Sequence, residues 1–411
     1  MDFLFVHGNY PAQFLHLAPL LGQSKNNRVV FLTAREDEIT ERLSGVEIRL
    51  FSTHRNPHPE THHYLTATEE AVLRGQAVLR ELDQMVKSGF RPQVVVSHGG
   101  MGLGLFIKDL LPETLHIGYF EWYFRNETTR NLLETFDFDD QLRTGLRNLP
   151  ILQELEQCDL GIVPTEWQKS QFPKTYQQKL EVIFDGVDTN FFHPHEDSSS
   201  LQKQDLTIHN RETGQRFTME AEKTVLSYAT RGMEPIRGFP EFMRALPRLL
   251  ANNPTMQVFI AGADRRAYSY DAPSHGGSWK NHLLEELGNF SGRERIFFTG
   301  LLNYNDYRLL LWRSNLHCYL TRPYVTSWSL FEAAACAARL AVNKSPATKN
   351  IIDEKTVTWI NLDNNENLSQ TLQEALNNDE GPRSRIIKGF ELSESLKKWV
   401  HLLNTALQGK N

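Results

Sequence analysis

The sequence predicts an α/β fold made of two doubly wound, Rossmann-like domains. Short apolar runs alternate with longer amphipathic stretches almost from end to end, which is the pattern of parallel strands covered by helices on both faces. The chain has 411 residues, whereas single hydrophobic cores stop growing at about 250–300 residues. A hydrophobic fraction of 40% and a charged fraction of 23% are typical of a folded globular protein and exclude a disordered or collagen-like chain.

In the first half of the chain, short and nearly continuous apolar runs predict strands that are buried on both faces. These strands are predicted over residues 2–6, 29–33, 46–50, 94–97, 116–120, 160–163 and 181–184. Amphipathic stretches, with apolar positions at helical spacing, separate them. The stretches predict helices over residues 11–22, 66–87, 104–111, 149–157 and 167–172.

Residues 195–222 interrupt this alternation, because they are polar, serine-rich and charged and show little periodicity. We predict a linker or an exposed excursion there. The alternation then resumes with strands predicted over residues 224–230, 256–262, 295–300, 316–321, 339–343 and 357–361. Helices are predicted between them over residues 240–251, 279–287, 304–313, 329–336 and 368–376. The sequence thus predicts an N-terminal domain over residues 1–200, a C-terminal domain over residues 201–391 and a final helix over residues 392–407.

Charge and cysteine usage narrow the class of protein. The formal net charge is −6, so there is no global basic field to hold nucleic acid or anionic lipid. The cysteines at 158, 318 and 336 are too widely spaced for a disulfide framework or a CxxC metal site. The amino terminus lacks the basic flank of a signal peptide, and no apolar stretch reaches the roughly 20 residues of a membrane span. We expect a cytoplasmic protein that binds no nucleic acid, with peripheral membrane association left open.

The loop after the predicted strand 224–230 carries the strongest local signal for chemistry. It reads RGMEPIRG from Arg231 to Gly238, so two arginines follow a buried strand within a turn that contains two glycines. Ligands of open α/β sheets bind at the carboxyl ends of the strands. A guanidinium matches phosphate oxygens with two parallel hydrogen bonds. The loop therefore indicates a phosphate site, and the alternative is a pair of solvated loop arginines.

A second anion site is indicated where a helix is predicted to begin, after the strand 316–321. Residues 327–336 read SWSLFEAAAC, and small residues at the start of an Ala-rich helix leave N–H groups at the positive end of the helix dipole. Glu332 lies about one turn inside this helix, where its carboxylate could accept two hydrogen bonds from a ribose diol. A surface glutamate that favours the start of a helix is the alternative interpretation.

These two loops, together with other segments in the same order, resemble glycosyltransferase family four, the retaining GT-B enzymes that use nucleotide sugars. The resemblance covers about residues 1–360. In the first half it rests on HGNYPAQFLHLAPLL, VVVSHGG, LGIVPTEWQKSQF and VIFDGVDTNFFHP. In the second half it rests on RGMEPIRGFPEFMRAL, VFIAGAD, IFFTGLL and SLFEAAACAARLAV.

The resemblance implies a GT-B fold in which the two domains face an interdomain cleft, and in which residues 392–411 pack back on the N-terminal domain. It implies that Arg231 and Arg237 hold the diphosphate of the donor and stabilise its charge as it leaves, and that Glu332 binds the ribose. Further donor contacts are implied for Gly8, Gly262, Leu301, Leu302 and the backbone amides of Ser327, Trp328, Ser329 and Leu330. No obligatory metal or cofactor is implied, and the nucleotide-diphosphate sugar is a co-substrate.

On the acceptor side, three residues after predicted strands are candidates. Glu121 follows strand 116–120 and is our candidate for orienting the sugar or the acceptor, with a structural glutamate bonded to the backbone as the alternative. His98 ends the strand 94–97 and could touch the acceptor, with a satisfied histidine in a tight turn as the alternative. Trp122 offers an aromatic face of the kind that suits a sugar, with a buried core aromatic as the alternative. The acceptor is expected to be a carbohydrate, a lipid-linked molecule or a small molecule.

Several positions depart from the family pattern. Tyr324 and Asn350 stand where glutamates are usual, Ala337 where glycine is usual, and Glu121 where histidine is often found. Each departure removes a polar contact rather than the fold. A non-catalytic relative that serves as a binding or scaffolding subunit is therefore the alternative to a transferase.

The sequence also contains weaker signals for a dinucleotide loop and for a zinc site. The run GGMGLG at residues 99–104 suggests a dinucleotide loop, but it lacks the G-x-G-x-x-G spacing, with Leu105 where the third glycine would fall. The histidines at 54, 58, 62 and 63 suggest zinc, but prolines interrupt any helix that would bring them to one face. We expect neither a nicotinamide-dependent dehydrogenase nor a metal site.

Overall fold

The computed structural model describes residues 1–36, 42–363, 367–378 and 381–409, and they form two parallel sheets and one small antiparallel sheet. The strands are β1 Asp2–His7, β2 Arg28–Thr33, β3 Val46–Leu50, β4 Val94–His98, β5 Leu115–Tyr119, β6 Leu160–Val163, β7 Leu180–Val182, β8 Leu206–His209, β9 Arg216–Met219, β10 Val225–Gly232, β11 Gln257–Ala263, β12 Ile296–Gly300, β13 Leu316–Tyr319, β14 Leu340–Asn343 and β15 Thr358–Ile360. Every strand of the two parallel sheets lies within two residues of a predicted strand at each end.

Helices connect these strands. They are α1 Leu17–Gly22, α2 Thr66–Lys87, α3 Ile107–Leu110, α4 Asn126–Thr129, α5 Phe138–Leu146, α6 Leu149–Gln157, α7 Glu166–Gln171, α8 Lys174–Gln177, α9 Ser198–Leu201, α10 Phe239–Asn252, α11 Trp279–Glu286, α12 Tyr304–Arg313, α13 Trp328–Ala335, α14 Leu368–Asn377 and α15 Leu392–Gln408. Short 3₁₀ turns add to them, and the turn Pro235–Arg237 precedes α10 directly. The predicted α/β class with doubly wound sheets is confirmed.

Strand order places the site-bearing loops. The first sheet runs β3-β2-β1-β4-β5-β6-β7 and the second β12-β11-β10-β13-β14-β15, both with parallel pairing. In each sheet the chain order reverses at one point, between β1 and β4 in the first and between β10 and β13 in the second. Ligands of open α/β sheets bind at such switch points, beside the carboxyl ends of the strands. The loops that follow β10 and β13 therefore lie next to each other.

The chain divides into two compact units that differ from the predicted domains at their boundary. The first unit comprises residues 1–129, 136–186 and 392–411, and the second comprises residues 130–135 and 187–391. The expected boundary lay at residue 200, but residues 187–200 belong to the second unit. The reason is that the Val187 amide donates to the Phe390 carbonyl at 2.9 Å and the Trp312 indole donates to the His193 carbonyl at 2.6 Å.

In the first unit, alternate residues of β1 supply two cores. Phe3 and Phe5 point to one face and pack in the same cluster as Trp399 and Leu403 of α15. The side chains between them, Leu4 and Val6, point to the other face, toward residues of α2. Helix α15 therefore covers one face of the first sheet. Leu392, the first residue of α15, packs closely on Gly186. A Cβ on Gly186 would lie 2.7 Å from the Leu392 Cα, so this contact requires glycine.

The prediction of a linker or exposed excursion over residues 195–222 is wrong in part. Strands β8 and β9 form an antiparallel hairpin, and Ile208 and Met219 are buried in a cluster with Val225 and Phe259 of the second sheet. The alternation of LTIH and RFTM around the turn at residues 210–214 is the period of a half-buried strand. The serine-rich segment before β8 and the shortness of both strands made this alternation hard to recognise in the sequence.

Candidate functional site

Arg237 lines a small pocket at the carboxyl ends of β10 and β13. The cavity is lined by Tyr228, Ala229, Thr230, Arg237, Tyr319, Leu320, Thr321, Ser327 and Ser329. Arg237 is 7% exposed, and its guanidinium lies 3.3 Å from the Thr321 hydroxyl. A nearly buried guanidinium normally requires an anionic partner. Because no ion pair to Arg237 occurs within the described residues, the cavity carries an unneutralised positive charge suited to an anion.

Arg231 is the second predicted phosphate ligand, and one aromatic residue links it to Arg237. The Arg231 guanidinium lies 3.4 Å from the Tyr268 hydroxyl, and the Arg237 guanidinium carbon lies 5.5 Å from the centre of the Tyr268 ring. Arg231 is exposed and, like Arg237, forms no ion pair within the ranges that the structure describes. Both guanidiniums therefore contact Tyr268, a residue that we did not predict, one at its hydroxyl and one over its ring.

Helix α13 begins beside this cavity, but its first amides already have partners. The Ser327 amide donates to the Tyr319 hydroxyl at 3.0 Å, the Ser329 amide to the Ser327 hydroxyl at 3.4 Å and the Leu330 amide to the Ser327 carbonyl at 3.1 Å. These three amides have partners within the protein, and the expected contact of the amides of 327 to 330 with phosphate stays a prediction. The Ser327 and Ser329 residues line the cavity, whereas the Leu330 side chain is buried in the core and Trp328 is 36% exposed.

Glu332 lies on the second turn of α13 and is half-buried. Burial raises the pKa of its carboxyl to about 7, because a desolvated carboxylate is disfavoured against the neutral acid. No hydrogen bond or ion pair to this carboxyl occurs among the described parts of the chain. The pair of oxygens is therefore free to accept hydrogen bonds from a ligand, as the predicted ribose contact requires.

The predicted donor residues on the neighbouring strands have clear local roles. Gly262 has φ +137°, and a Cβ there would lie 2.0 Å from the Thr230 carbonyl oxygen of β10. The glycine thus allows β10 and β11 to approach just before Arg231. Leu301 accepts a hydrogen bond at its carbonyl from the Arg211 amide, and Leu302 packs on the hairpin cluster. The hairpin β8–β9 therefore supports both leucines.

Glu121 is held by two polar side chains at the carboxyl edge of the first sheet. Its Oε1 accepts a hydrogen bond from Gln13 Nε2 at 2.5 Å, and its Oε2 lies 3.4 Å from His98 Nε2. The Glu121 side chain is 29% exposed and that of His98 is 4% exposed. His98 is therefore almost fully covered, and Glu121 is the more accessible residue of this pair. Gln13, which fixes the other oxygen, was not predicted.

The remaining first-unit candidates differ in how far they are accessible. Gly8 follows β1 and would have open space around an added Cβ, so a ligand can approach its backbone. Next to it, burial and the neighbouring His98 hold the pKa of His7 well below its usual value, so His7 is neutral. Trp122 is only 7% exposed, so its ring packs in the interior and does not offer the aromatic face that we expected for a sugar.

The glycine-rich run at residues 99–104 wraps around a buried carboxylate. The amides of Gly100 and Gly104 donate to the two oxygens of Glu154, which is 1% exposed. Burial raises the pKa of Glu154 to about 7, although these hydrogen bonds favour its charged form. The amides that a dinucleotide pyrophosphate would use are already satisfied. This arrangement argues against the dehydrogenase interpretation.

The positions that depart from the family pattern also have structural explanations. Ala337 has φ +52° and Asn350 has φ +70°, so both occupy the left-handed region that glycine and asparagine favour. Tyr324 is 8% exposed, and the centre of its ring lies 5.5 Å from that of Tyr268. An aromatic pair therefore stands beside the two arginines.

The described residues show neither a cluster of potential metal ligands nor a helix that could span a membrane. No three histidine, cysteine or acidic side chains come close enough together there to hold a metal ion. None of the described helices is both long and apolar enough to cross a membrane.

Comparison with known proteins gives a fold for the chain and a family similarity for part of it. Residues 25–192 match the sequence model of the glycosyl transferase family 4 group. None of the curated protein sequences matches the chain significantly.

Solved structures with the same fold cover essentially the whole chain. Sucrose-phosphate synthase from Thermosynechococcus elongatus is 13% identical, with a TM-score of 0.71 and coverage of 100% of both chains. The catalytic domain of starch synthase IV from Arabidopsis thaliana, bound to ADP and acarbose, is 11% identical, with a TM-score of 0.63 and coverage of 99% of both chains. WaaG, a glycosyltransferase of lipopolysaccharide biosynthesis, is 12% identical, with a TM-score of 0.61 and coverage of 96% of this chain and 93% of WaaG.

At such low identity these likenesses establish the fold, and the sequence match adds a similarity to one family over residues 25–192. Both agree with the resemblance found in the ordered motifs and with the unpaired arginines after β10. The chain therefore has the GT-B fold, and its residues 25–192 are similar to the glycosyl transferase family 4 group.

Proposed function

We propose that this protein is a retaining glycosyltransferase that moves a sugar from a nucleoside diphosphate to a carbohydrate, lipid-linked or small-molecule acceptor. The observation that carries the proposal is the pair of guanidiniums, Arg231 and Arg237, which both contact Tyr268 and have no carboxylate partner within the described residues. A diphosphate supplies the two or more negative charges that such a pair lacks. The ADP bound to the starch synthase of the same fold supports a nucleoside diphosphate as the ligand.

The chemistry asks mainly for positioning and for stabilisation of charge. Negative charge develops on the diphosphate as the bond to the sugar breaks, and cationic groups aimed at that charge lower the barrier. Arg237 is nearly buried, so its interaction with the leaving phosphate is little screened by water. The departing phosphate can accept the proton of the acceptor hydroxyl. Neither a resident metal nor a cofactor is therefore part of the proposal.

Glu332 and Glu121 complete the proposed site. The unpartnered Glu332 carboxyl would accept hydrogen bonds from the ribose diol and so align the nucleotide. Glu121, held by Gln13 and His98, would orient the sugar or the acceptor, because its carboxylate is fixed in direction yet 29% exposed. We place the reaction in the cytoplasm, where nucleotide sugars would be available to it.

The alternative is a non-catalytic member of the family that binds a nucleotide or a glycan as a subunit of a larger assembly. Tyr324 and Asn350 favour it, since aromatic and amide groups replace two glutamates of the family pattern. The buried ring of Trp122 also removes one expected sugar contact. Only a measurement of turnover separates this alternative from the transferase.

Binding of UDP, GDP and ADP by calorimetry tests the site first. We expect the tightest of the three to lose about 10- to 100-fold in affinity in Arg237→Ala and in Arg231→Ala, as for the loss of a hydrogen bond to a charged group. Arg244→Ala is the matched control, because Arg244 lies in the same unit and is already paired with Glu286. Equal affinities in all three variants would contradict the phosphate site.

Turnover tests the reaction. We expect the purified protein to release the free nucleoside diphosphate from one of a panel of nucleotide sugars, and to do so faster with an acceptor. Retention is checked by the anomeric configuration of the product in NMR spectra. Nucleotide binding without release of sugar from any donor would favour the non-catalytic alternative.

A further inference from the structure

Tyr268 occupies an unusual place in the second unit. Its hydroxyl lies 3.4 Å from Arg231, its ring faces Arg237 and the centre of the Tyr324 ring lies 5.5 Å away. Even so, Tyr268 is 40% exposed, whereas the next residue, Ser269, is buried. A tyrosine that served only to fill the interior would be covered in the same way as its neighbour.

A buried carboxylate fixes the backbone of this tyrosine. Glu234, which lies between the two arginines in sequence and is 0% exposed, accepts hydrogen bonds at Oε2 from the amides of Ala267, Tyr268 and Ser269. The Ser269 hydroxyl donates to the same oxygen at 3.1 Å. Four hydrogen bonds to one charged oxygen hold the loop in a single arrangement. Glu234 Oε2 therefore binds the loop at residues 267–269, and these hydrogen bonds fix the backbone of Tyr268.

We propose that Tyr268, backed by Tyr324, is the surface on which the sugar ring of the donor stacks. This inference rests on the proposed function, because it takes Arg231 and Arg237 as the ligands of the diphosphate. The sugar is bonded to the outer phosphate, so it must touch side chains that border both arginines. Tyr268 is the exposed residue in contact with both, and an aromatic face packs well against the C–H face of a pyranose.

If the sugar stacks on Tyr268, the site selects its donor partly by the shape of the sugar ring. An aromatic face contacts the apolar side of a sugar ring and so discriminates little between sugars that differ in their hydroxyl groups. A carboxylate would instead bind particular hydroxyls. The Glu234 carboxylate is turned to the loop amides and is buried, so it does not serve that purpose. We therefore expect the site to accept several hexosyl donors of one nucleotide with similar affinities.

The test separates the sugar from the diphosphate. Calorimetry would measure the wild type and variants with the tightest-binding of UDP, GDP and ADP and with the glucose, N-acetylglucosamine and mannose conjugates of that nucleotide. In Tyr268→Ala we expect the affinity for the conjugates to fall about 10-fold, the size of a lost aromatic contact. The affinity for the free diphosphate should stay within about 2-fold of the wild type.

Tyr176→Ala is the matched control, because it removes a partly exposed tyrosine of the first unit. It should bind every probe as the wild type does, and melting temperatures check that Tyr268→Ala is folded. Tyr268→Phe keeps the ring and removes the hydroxyl near Arg231, so it should bind the conjugates more tightly than Tyr268→Ala does. An equal loss for conjugates and free diphosphate, or no loss at all, would overturn the stacking role. Failure of the wild type to bind any diphosphate would instead overturn the phosphate site on which the inference rests.

Discussion

The Glu332 carboxyl is half-buried on α13, and burial raises its pKa to about 7. Between the ordinary value near 4.5 and about 7, the folded protein therefore holds a proton that the unfolded chain has lost. The stability that this proton brings is present at low pH and is lost as the pH rises through about 7. Ligand binding should show the opposite trend, because the ionised carboxylate is the better acceptor for two ribose hydroxyls.

We predict that affinity for the preferred nucleoside diphosphate falls as the pH is lowered from 8 to 6. If only the ionised form binds the ribose, about one molecule in ten is competent at pH 6, and the affinity drops by up to about 10-fold. Glu332→Gln should show a flatter pH profile, which also reveals the contribution of the nucleotide's own titration. Calorimetry at three pH values makes the comparison. A wild-type profile that parallels the Gln variant would remove Glu332 from the ribose site.

The candidate site could be predicted only in part. Arginines, glycines and a glutamate after strands were visible as residue types in loops whose place in the sheet the strand pattern determines. Tyr268, Glu234 and Gln13 were missed, because their importance depends on which side chains they meet in space. For Trp122 a sugar-facing ring and a buried ring were both open, and the ring is buried, because sequence alone does not give the exposure of an aromatic residue near the end of a strand.

Among the elements, the second sheet depends on a close approach of β10 and β11 at Gly262. We predict that Gly262→Ala destabilises the protein by about 2–5 kcal/mol, because the added Cβ combines a disfavoured φ with a clash against Thr230. Nucleotide affinity should fall as well, since Thr230 directly precedes Arg231. Chemical denaturation and calorimetry measure the two effects. Gly214→Ala, also at positive φ but in open space, should cost much less and leave binding unchanged.

The end of α13 offers a stabilising change. Ala337 adopts φ +52° after the helix, while the Ala338 amide donates to the Ala333 carbonyl at 3.1 Å. This is a helix ending that normally uses glycine. We predict that Ala337→Gly raises the free energy of unfolding by about 0.5–1 kcal/mol. Ala334→Gly, inside the helix, should lower it by about 1 kcal/mol, and a lower stability in both variants would contradict the strain at Ala337.

At this scale, prediction succeeded for long or strongly apolar elements and failed for short ones. The strands of the parallel sheets are continuous apolar runs, so their pattern leaves few alternatives. The hairpin β8–β9 has four-residue strands in which polar and apolar side chains alternate, and a serine-rich stretch precedes it. Its burial comes from packing on the second sheet, which local periodicity does not reveal.

For the molecule as a whole, α15 joins the carboxyl end of the chain to the first unit. We predict that Trp399→Ala destabilises this unit by about 3–5 kcal/mol, because a large buried side chain leaves a cavity in the cluster around Phe3 and Phe5. Denaturation followed by far-UV circular dichroism gives the change, and Lys398→Ala, an exposed neighbour, is the control. The affinity for nucleoside diphosphate should be unchanged if the site belongs to the second unit. A parallel loss of affinity would contradict that assignment.

Within the second unit, Val187 and Glu391 pair in a parallel bridge, and within the first, Gly186 packs on Leu392. Apart from residues 130–135, the second unit is therefore an insertion that leaves and re-enters its host at a single spot. Each unit could therefore be expressed alone. One gene would join codon 186 directly to codon 392, and the other would encode residues 187–391. Both would interrupt the chain only at the two junctions 186/187 and 391/392, where the two segments are adjacent. Each unit could then be crystallised, studied by spectroscopy and screened for ligands separately.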